Sequence, residues 1–250
     1  MPSVFFQHKA IDPFRSFLTI AALVLIPWAA DASTVSFVDA GRGQADFVTG
    51  SGTLTITLTD LVVNPGGVAD NISGLGFSIA PSAGATLISQ TGTLRQVNGG
   101  ATTGTYIDFN GGAAQTLYWN FDASTLFLSA LGTARPGDMP PDETIIGEPK
   151  VSDGKYHGGG SINGNGPHNP FVHGPATFIL SIPGVTVDTT VTSATFRFGT
   201  NATSGFEDGD CTFGCTPGDT AVPEPTSLLL LSSGLLIGGR AIRRRKATGT

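Results

Sequence analysis

The sequence predicts an all-β fold, an antiparallel β-sandwich of the jelly-roll kind, and three observations support this prediction. The chain has 35 Gly and 16 Pro but only 13% charged residues, whereas helical bundles need abundant Ala, Glu and Lys. Thr53–Thr59 alternates threonine with leucine or isoleucine, the period-two pattern of a half-buried strand. Clusters of Gly, Asn, Asp and Pro separate further runs of this kind, and the body lacks a helical apolar stripe.

Short runs of β-branched, aromatic and leucine residues follow one another along the body of the chain, as in sandwiches and jelly rolls. In the clearest run, Leu54, Ile56 and Leu58 are expected to face the core while the threonines face outward. The predicted strands are Val35–Val38, Thr53–Thr59, Leu75–Ile79, Thr86–Ser89, Thr105–Phe109, Leu117–Phe121, Leu126–Leu131, Ala176–Ile182 and Ala194–Phe198.

The first 32 residues have the pattern of a secretory signal peptide. Lys9 and Arg15 supply positive charge, and Phe17–Ile26 is an apolar stretch too short to span a membrane. Ala30 and Ala32 place small residues where a signal peptidase requires them. We therefore expect an N-terminal signal helix, entry into the general export machinery, and cleavage after Ala32. A buried amphipathic helix is the alternative, which the Pro-Trp pair after the apolar stretch disfavours.

The carboxyl end combines a proline-bounded glutamate, an apolar run and a basic cluster. Pro223 and Pro225 flank Glu224 and keep this stretch out of any helix, because proline fixes φ and lacks an N–H. Leu228–Gly239 carries no charge and predicts a short apolar helix. The positive-inside rule keeps the basic cluster that follows it in the cytoplasm. The cluster consists of Arg240, Arg243, Arg244, Arg245 and Lys246.

The predicted apolar helix is shorter than the hydrocarbon core of a membrane. Leu228–Ile242 contains 15 residues, about 22 Å of helix at 1.5 Å per residue, against a hydrocarbon core of roughly 30 Å. Arg240 lies near its inner end and would have to reach the membrane surface. These features favour a temporary anchor in the inner membrane over a permanent one.

The segment 222–246 closely resembles the PEP-CTERM sorting signal of exopolysaccharide-producing Gram-negative bacteria, with its three parts in the same order. The resemblance implies that an exosortase-type membrane enzyme recognises Pro223, Glu224 and Pro225 and processes the tail. It also implies transient retention in the inner membrane, followed by transfer to the cell surface or the extracellular exopolysaccharide matrix, where polysaccharide is an expected partner. The short apolar run and Arg240 depart from the family pattern. A plain C-terminal membrane anchor is the alternative.

The resemblance and the strand pattern together predict four regions. They are a signal peptide at 1–32, a sandwich domain at 33–210 with a long Gly/Pro-rich surface loop at 132–175, a linker at 211–221, and the sorting segment at 222–246. A short strand is expected at Thr144–Ile146 within the loop. The segments Gly164–Phe171 and Thr195–Thr200 resemble stretches in other proteins with this tail, which supports an all-β body.

Charge and cysteine content restrict the partners and the compartment. The whole chain has a net charge of −6 and a pI of about 5.0, and the part between its two end segments carries 16 acidic and six basic residues. Nucleic acid is therefore excluded as a partner, since phosphate binding needs a basic face. Cys211 and Cys215 are the only cysteines, and an oxidising export route favours a disulfide between them.

Several side chains are candidates for a functional site. Three histidines could approach a metal if the long loop folded back, although a solvated or capping role is favoured because accepted ligand spacing is missing. Two acidic clusters could donate oxygens to Ca²⁺, but neither follows the spacing of a known calcium loop. The histidines are His157, His168 and His173, and the acidic residues are Asp138, Asp142 and Glu143, and Glu207, Asp208 and Asp210.

The sequence contains no Gly-x-Ser-x-Gly or His-Glu-x-x-His motif, so we expect no catalytic residue, no bound metal and no cofactor. The favoured interpretation is a non-enzymatic surface or matrix protein. The first alternative is a carbohydrate-binding module or lectin-like adhesin, in which Tyr106, Tyr118 or Trp119 would be exposed and stack on a sugar ring. The second alternative is a calcium-dependent or hydrolytic surface enzyme.

Overall fold

A computed structural model describes residues 32–215 except 101, 139–140 and 165–167, and the all-β prediction is confirmed. The predicted signal helix with Ala30, the C-terminal apolar helix, and the rest of the sorting segment lie outside the described residues. The strands are β1 (Thr34–Asp39), β2 (Gly43–Gly50), β3 (Thr53–Asp60), β4 (Ile72–Ile79), β5 (Thr86–Gly99), β6 (Gly104–Asp108), β7 (Gln115–Thr116), β8 (Asn120–Asp122), β9 (Phe127–Ser129), β10 (Ile145–Ile146), β11 (Phe171–Ser181), β12 (Val191–Phe198), β13 (Phe206–Asp208) and β14 (Asp210–Phe213).

The strands form one large mixed sheet that folds over into two layers. In the first layer, β11 pairs with β5 on one edge and with β3 on the other, and β2, β1 and β14 follow. The second layer has the order β13-β12-β4-β9-β8. All pairs between named strands are antiparallel except β10 with β11. A 3₁₀ turn at Val68–Asp70, another at Phe109–Gly112, and the one-turn helix α1 (Gly160–Asn163) complete the elements.

Two short connections join the layers at their edges. Ile145 of β10 lies opposite Ile72 of β4 and opposite Val172 of β11, and so bridges the second layer to the first. At the other edge, β13 pairs with β12 while β14 pairs with β1, and Gly209 separates the two strands. A Cβ at Gly209 would lie 2.7 Å from the Phe196 ring, so this bend requires glycine. The sheet is therefore closed at both sides of the sandwich.

The main core lies between the layers and follows from the alternation of the strands. Leu54, Ile56 and Leu58 of β3 are fully buried, as their spacing predicts. Phe47 of β2 contacts Phe77 of β4 with ring centroids 5.7 Å apart, which joins the two layers. Burying each such side chain contributes about 1.5–3 kcal/mol relative to leaving it in water.

The segment 132–175 was expected to be a surface loop, and the structure corrects this prediction. Tyr156 and Ile162 are fully buried and form a second, smaller core with Val97, Ile146 and Phe171. The Tyr156 hydroxyl donates to a backbone carbonyl oxygen (2.9 Å) and accepts from Arg95 Nη1 (3.1 Å). The sequence does not indicate this second core, because the buried residues of the segment are isolated among glycines and prolines. The short strand expected at Thr144–Ile146 is present as β10.

Other differences concern strand limits. β5 runs from Thr86 to Gly99, far beyond its predicted end at Ser89, and β2, which was not predicted, pairs with both β1 and β3. The run Leu117–Phe121 is not one strand, since β7 already ends at Thr116 and β8 begins only at Asn120. β14 also continues the sheet past Asp210, so Cys211 belongs to a strand. Within the described part of the chain, no helix has the length and apolarity needed to span a membrane.

Candidate functional site

The three histidines do not converge. His157 Nε2 lies 2.6 Å from Asp153 Oδ2, and His173 Nε2 lies 3.1 Å from Glu148 Oε1. His168 contacts only a backbone carbonyl oxygen through Nδ1. The hydrogen bond from His157 lowers the pKa of Asp153. Among the residues that the structure describes, no group of three or more His, Cys, Asp or Glu side chains could hold a metal ion.

The first acidic cluster, Asp138, Asp142 and Glu143, divides into one exposed and two buried carboxylates. Asp142 and Glu143 are each 1% exposed, and burial raises the pKa of both. Glu143 accepts hydrogen bonds from the Tyr118 backbone N–H (2.5 Å) and from Arg135 Nε (3.2 Å). Asp142 accepts one from the Arg135 backbone N–H (3.1 Å). These carboxylates hold neighbouring backbone in place, whereas Asp138 lies exposed.

The second acidic cluster lies on the outer surface of β13 and β14. Glu207, Asp208 and Asp210 are not buried, and Asp208 accepts a hydrogen bond from Thr195 Oγ1 at 3.0 Å across the strand pair. Solvent surrounds these side chains, and the pairing of β13 with β12 fixes the backbone that carries them. The two acidic clusters therefore differ in burial and in bonding, and neither assembles a calcium shell from described residues.

Of the three aromatic residues proposed to stack on a sugar, Tyr118 is exposed as predicted, whereas Trp119 is buried and Tyr106 is half-buried. Trp119 is 3% exposed, packs against Phe178 with ring centroids 5.1 Å apart, and donates from Nε1 to the Glu143 carbonyl oxygen (2.9 Å). The expectation that it is exposed is wrong, because the Leu-Tyr-Trp run crosses between strands and turns its indole inward. Tyr106 is half-buried beneath Arg95. Tyr118 is 39% exposed.

Cys211 and Cys215 form a disulfide with their Cα atoms 6.0 Å apart. Cys211 lies in β14 opposite Phe37 of β1, and Thr212 Oγ1 donates to the Ser36 carbonyl oxygen (3.2 Å). The last described residues before the sorting segment are therefore attached to the first strand of the sandwich.

A groove of about 620 Å³ opens beside the overhanging end of β5. β11 begins at Phe171 opposite Arg95, so residues of β5 beyond Arg95 have no β11 partner. The Asn169 side chain replaces it by bonding both backbone groups of Val97, at 2.9 and 3.0 Å. Leu94 seals the main core, and Gln96 and Asn98 continue the same strand face into the groove.

Three further segments contribute an aromatic ring, an amide and two charged side chains to the lining of the groove. Phe109 in the 3₁₀ turn after β6 is 38% exposed. Gln115 of β7 has a buried Nε2 without a hydrogen-bond partner among the described residues. Arg135 and Asp138 supply one positive and one negative charge. The sequence did not reveal these residues as a site, because β5 was predicted too short to bring Gln96 and Asn98 to its end.

Two buried arginines lie outside the groove. Arg95 is bound by both carboxylate oxygens of Asp108, at 2.6 and 2.9 Å, and this hydrogen bonding lowers the pKa of Asp108. Arg197 is 5% exposed, and among the described residues it bonds to Ser73 and Ser129 but to no carboxylate. Burial lowers the pKa of Arg197. Both guanidinium groups bond to structural neighbours in the interior.

Comparison with known proteins identifies the carboxyl end. A family model of the PEP-CTERM protein-sorting motif matches residues 221–246, which confirms the resemblance that the sequence suggested. The match indicates an exported protein that an exosortase sorts to the cell surface. No curated protein and no solved structure matches the chain at a significant level. Pro223, Glu224, Pro225 and the basic cluster fall within the matched residues, outside those that the structure describes, and their individual roles stay predictions.

Proposed function

We propose that this chain, which carries a PEP-CTERM protein-sorting motif at residues 221–246, is a non-enzymatic component of the cell surface or of the exopolysaccharide matrix. Export begins at the signal peptide. The tail then retains the chain transiently in the inner membrane, with the sandwich on the outer side. An exosortase-type enzyme reads Pro223, Glu224 and Pro225 and releases the body for transfer to the surface.

The observation that carries this proposal is the sorting motif at one end of a compact sandwich. Its three parts follow one another as sorting requires, since the recognition residues precede the apolar run and the basic cluster follows it. Pro223 follows Cys215 by eight positions, so the first recognition residue lies at most about 28 Å from the disulfide. A membrane enzyme can therefore reach them without unfolding the sandwich.

The bonding of two carboxylates, the buried Glu143 and the partly exposed Asp108, supports a non-enzymatic role. Glu143 holds the backbone of Tyr118, and Asp108 neutralises Arg95. A catalytic acid or base must have access to substrate as well as a suitable pKa. These two carboxylates instead use their oxygens on the protein itself. The proposal of a calcium-dependent or hydrolytic surface enzyme has no such observation in its favour.

Carbohydrate binding is the second candidate function, and the groove beside β5 favours it. The groove combines amide side chains with an exposed aromatic ring, which is the composition that small polar ligands need. A surface protein with such a groove would attach to the matrix through its sandwich after the tail has been removed.

The proposal is tested by replacing Pro223, Glu224 and Pro225 together with alanine. We expect the wild-type protein to reach the outer surface without the residues after about Pro225, and the variant to stay intact in the inner-membrane fraction. Cell fractionation followed by mass spectrometry of the carboxyl end measures both properties. Replacing the adjacent Thr226 and Ser227 with alanine is the matched control and should leave delivery unchanged. Normal trimming and delivery of the triple variant would contradict the proposal.

A further inference from the structure

We propose that the groove beside the overhanging end of β5 binds a neutral saccharide, with its hydroxyl groups on Gln96, Asn98 and Gln115 and one ring face on Phe109. The inference rests on the second candidate function above and specifies its site and ligand. This groove takes the place of the sugar-stacking site predicted at Trp119, because the Trp119 side chain is buried. The groove volume of about 620 Å³ lies within the range of about 300–1,000 Å³ that small-ligand sites occupy.

The strand itself places two of the amides. Leu94, Gln96 and Asn98 follow at two-residue intervals on one face of β5. Leu94 faces the closed core, but β11 no longer accompanies β5 beyond Arg95. Along this strand face, Leu94 is buried, Gln96 is partly exposed and Asn98 is exposed. Two bonds from Asn169 to the Val97 backbone keep the overhang in an extended conformation, so the two amides have a fixed spacing.

Unsatisfied hydrogen-bonding groups point to a hydroxyl-rich ligand. The side chains of Gln96 and Asn98 make no hydrogen bond within the described residues, and the buried Nε2 of Gln115 also lacks a partner. A buried donor left without a partner is unfavourable, so a ligand that accepts this hydrogen bond is favoured. A carboxamide both donates and accepts, as a sugar hydroxyl does. Three amides around one groove therefore match a saccharide better than an apolar ligand.

A turn of unusual backbone geometry presents the aromatic ring. Phe109 is followed by Asn110, Gly111 and Gly112, with φ values of 50°, 64° and 85°. The left-handed region is unfavourable for a non-glycine residue such as Asn110, so the conformation has to be maintained by its surroundings. The turn leaves Phe109 38% exposed at the groove. An exposed aromatic face suits the apolar C–H face of a sugar ring.

Charge favours a neutral saccharide over an anionic one. Arg135 and Asp138 contribute one charge of each sign to the lining, and Arg135 already donates to Glu143 and to the Thr116 carbonyl oxygen. The part of the chain between its end segments has ten more acidic than basic residues. Such a body repels a polyanion at long range, so a polyuronate is disfavoured.

The test is affinity electrophoresis of the full-length chain in gels that contain dextran, mannan or a soluble β-glucan, with alginate as the anionic comparison. We expect retardation by at least one neutral polysaccharide and none by alginate. Phe109→Ala should weaken this binding about tenfold, because the stacking contact is lost. Gln96→Ala should also weaken binding to the neutral polysaccharide that retards the wild-type chain. Thermal unfolding midpoints of the variants establish that the sandwich is intact.

Tyr118→Ala is the matched control, since Tyr118 is also an exposed aromatic residue (39%) and is not part of the groove lining. It should bind like the wild type. Loss of binding in Tyr118→Ala with retention in Phe109→Ala would overturn the proposal, as would retardation by alginate alone or by no polysaccharide. Delivery to the surface is scored on the same Phe109→Ala chain. If the wild-type chain is delivered normally but binds no neutral polysaccharide, the saccharide site is refuted. The proposed sorting is then unaffected.

Discussion

The two acidic clusters of this chain have similar compositions and opposite environments. Asp142 and Glu143 lie in a segment rich in Gly and Pro, yet both are buried and bonded to backbone or arginine N–H groups. Glu207 and Asp208 lie in a regular strand, yet both are exposed. Regular secondary structure therefore does not decide which carboxylates are structural. The decisive property is the number of otherwise unpaired donors that a carboxylate satisfies after burial.

Backbone geometry sharpens this difference. Glu143 has φ of 57°, a conformation that costs a non-glycine residue about 1–3 kcal/mol. Its side chain binds Tyr118 and Arg135, and its carbonyl oxygen binds Trp119. These contacts offset the strain and join the long segment to the sandwich. No residue of β13 or β14 between Glu207 and Asp210 has a comparable set of bonds.

The largest expected effect is that of Glu143→Ala. The substitution leaves the Tyr118 N–H and Arg135 Nε without their acceptor and opens a cavity, so we expect the free energy of unfolding to fall by about 3 kcal/mol. Urea denaturation followed by tryptophan fluorescence measures it, since the Trp119 indole lies beside the site. Glu207→Ala is the control and should change it by less than about 0.5 kcal/mol. Equal effects would remove the distinction between the clusters.

A second prediction concerns Asp60 at the end of β3, which is 6% exposed. Burial raises its pKa to about 8, against about 3.9 in an unfolded chain. The folded protein therefore holds a proton that the unfolded chain releases. Its contribution to stability is complete below about pH 4 and is lost as the pH rises towards 8. Between pH 5 and pH 7 the loss of stability amounts to about 2–3 kcal/mol.

Asp60→Asn provides the measurement. The amide keeps the acceptor that the Val62 N–H uses but does not titrate, so the fall in stability between pH 5 and pH 7 should become much smaller. Denaturant titrations at both pH values compare the two proteins. The Asp208→Asn variant, which changes an exposed carboxylate, should keep the wild-type pH dependence. An unchanged slope in Asp60→Asn would show that Asp60 is ionised in the folded protein.

The disulfide adds a third and smaller effect in the exposed region. Replacing Cys211 and Cys215 by serine releases a loop of a few residues, and the chain-entropy relation gives about 2 kcal/mol for it. We expect a loss no larger than this, with faster amide exchange at Thr212 and Phe213 because β14 is exposed along its length. Reducing the wild-type protein should produce the same change. A larger loss would mean that β14 stabilises the whole sandwich.

The smallest effect is expected for calcium. About 5 mM calcium should leave the thermal unfolding midpoint of the protein within about 1 °C, because no described acidic group forms a coordination shell. Glu207→Gln should likewise leave it unchanged. A clear upward shift that Glu207→Gln abolishes would show that the exposed cluster binds the ion.

Strands with strict alternation were predictable, and side chains placed by irregular backbone were not. Leu54, Ile56 and Leu58 could be assigned to the core because they alternate strictly with threonine along β3. β2 escaped prediction because Gly43 and Asp46 interrupt its pattern, although neighbours on both sides supply its hydrogen bonds. The burial of Trp119 could not be predicted either, because it depends on the segment that carries Glu143, which packs back against the sandwich.

The candidate sites show the same limit. The sorting motif is contiguous and is recognised by another protein as a linear segment, so its residues could be read directly from the sequence. The groove assembles residues from β5, β7, the turn at Phe109 and the segment near Arg135. Each of these residue types is ordinary in a loop or strand. Only the length of β5 and its loss of β11 as a neighbour bring them together.

The pairing of β1 with β14 joins the first and last strands of the sandwich. Ser36 lies opposite Phe213, so the first and last strands of the sandwich meet only after nearly the entire body has crossed the membrane. Contacts of such long sequence separation form late. The sheet is thus closed only when Asp210–Phe213 are in place, and a chain truncated before Asp210 would leave β1 as an open edge strand that is prone to aggregation.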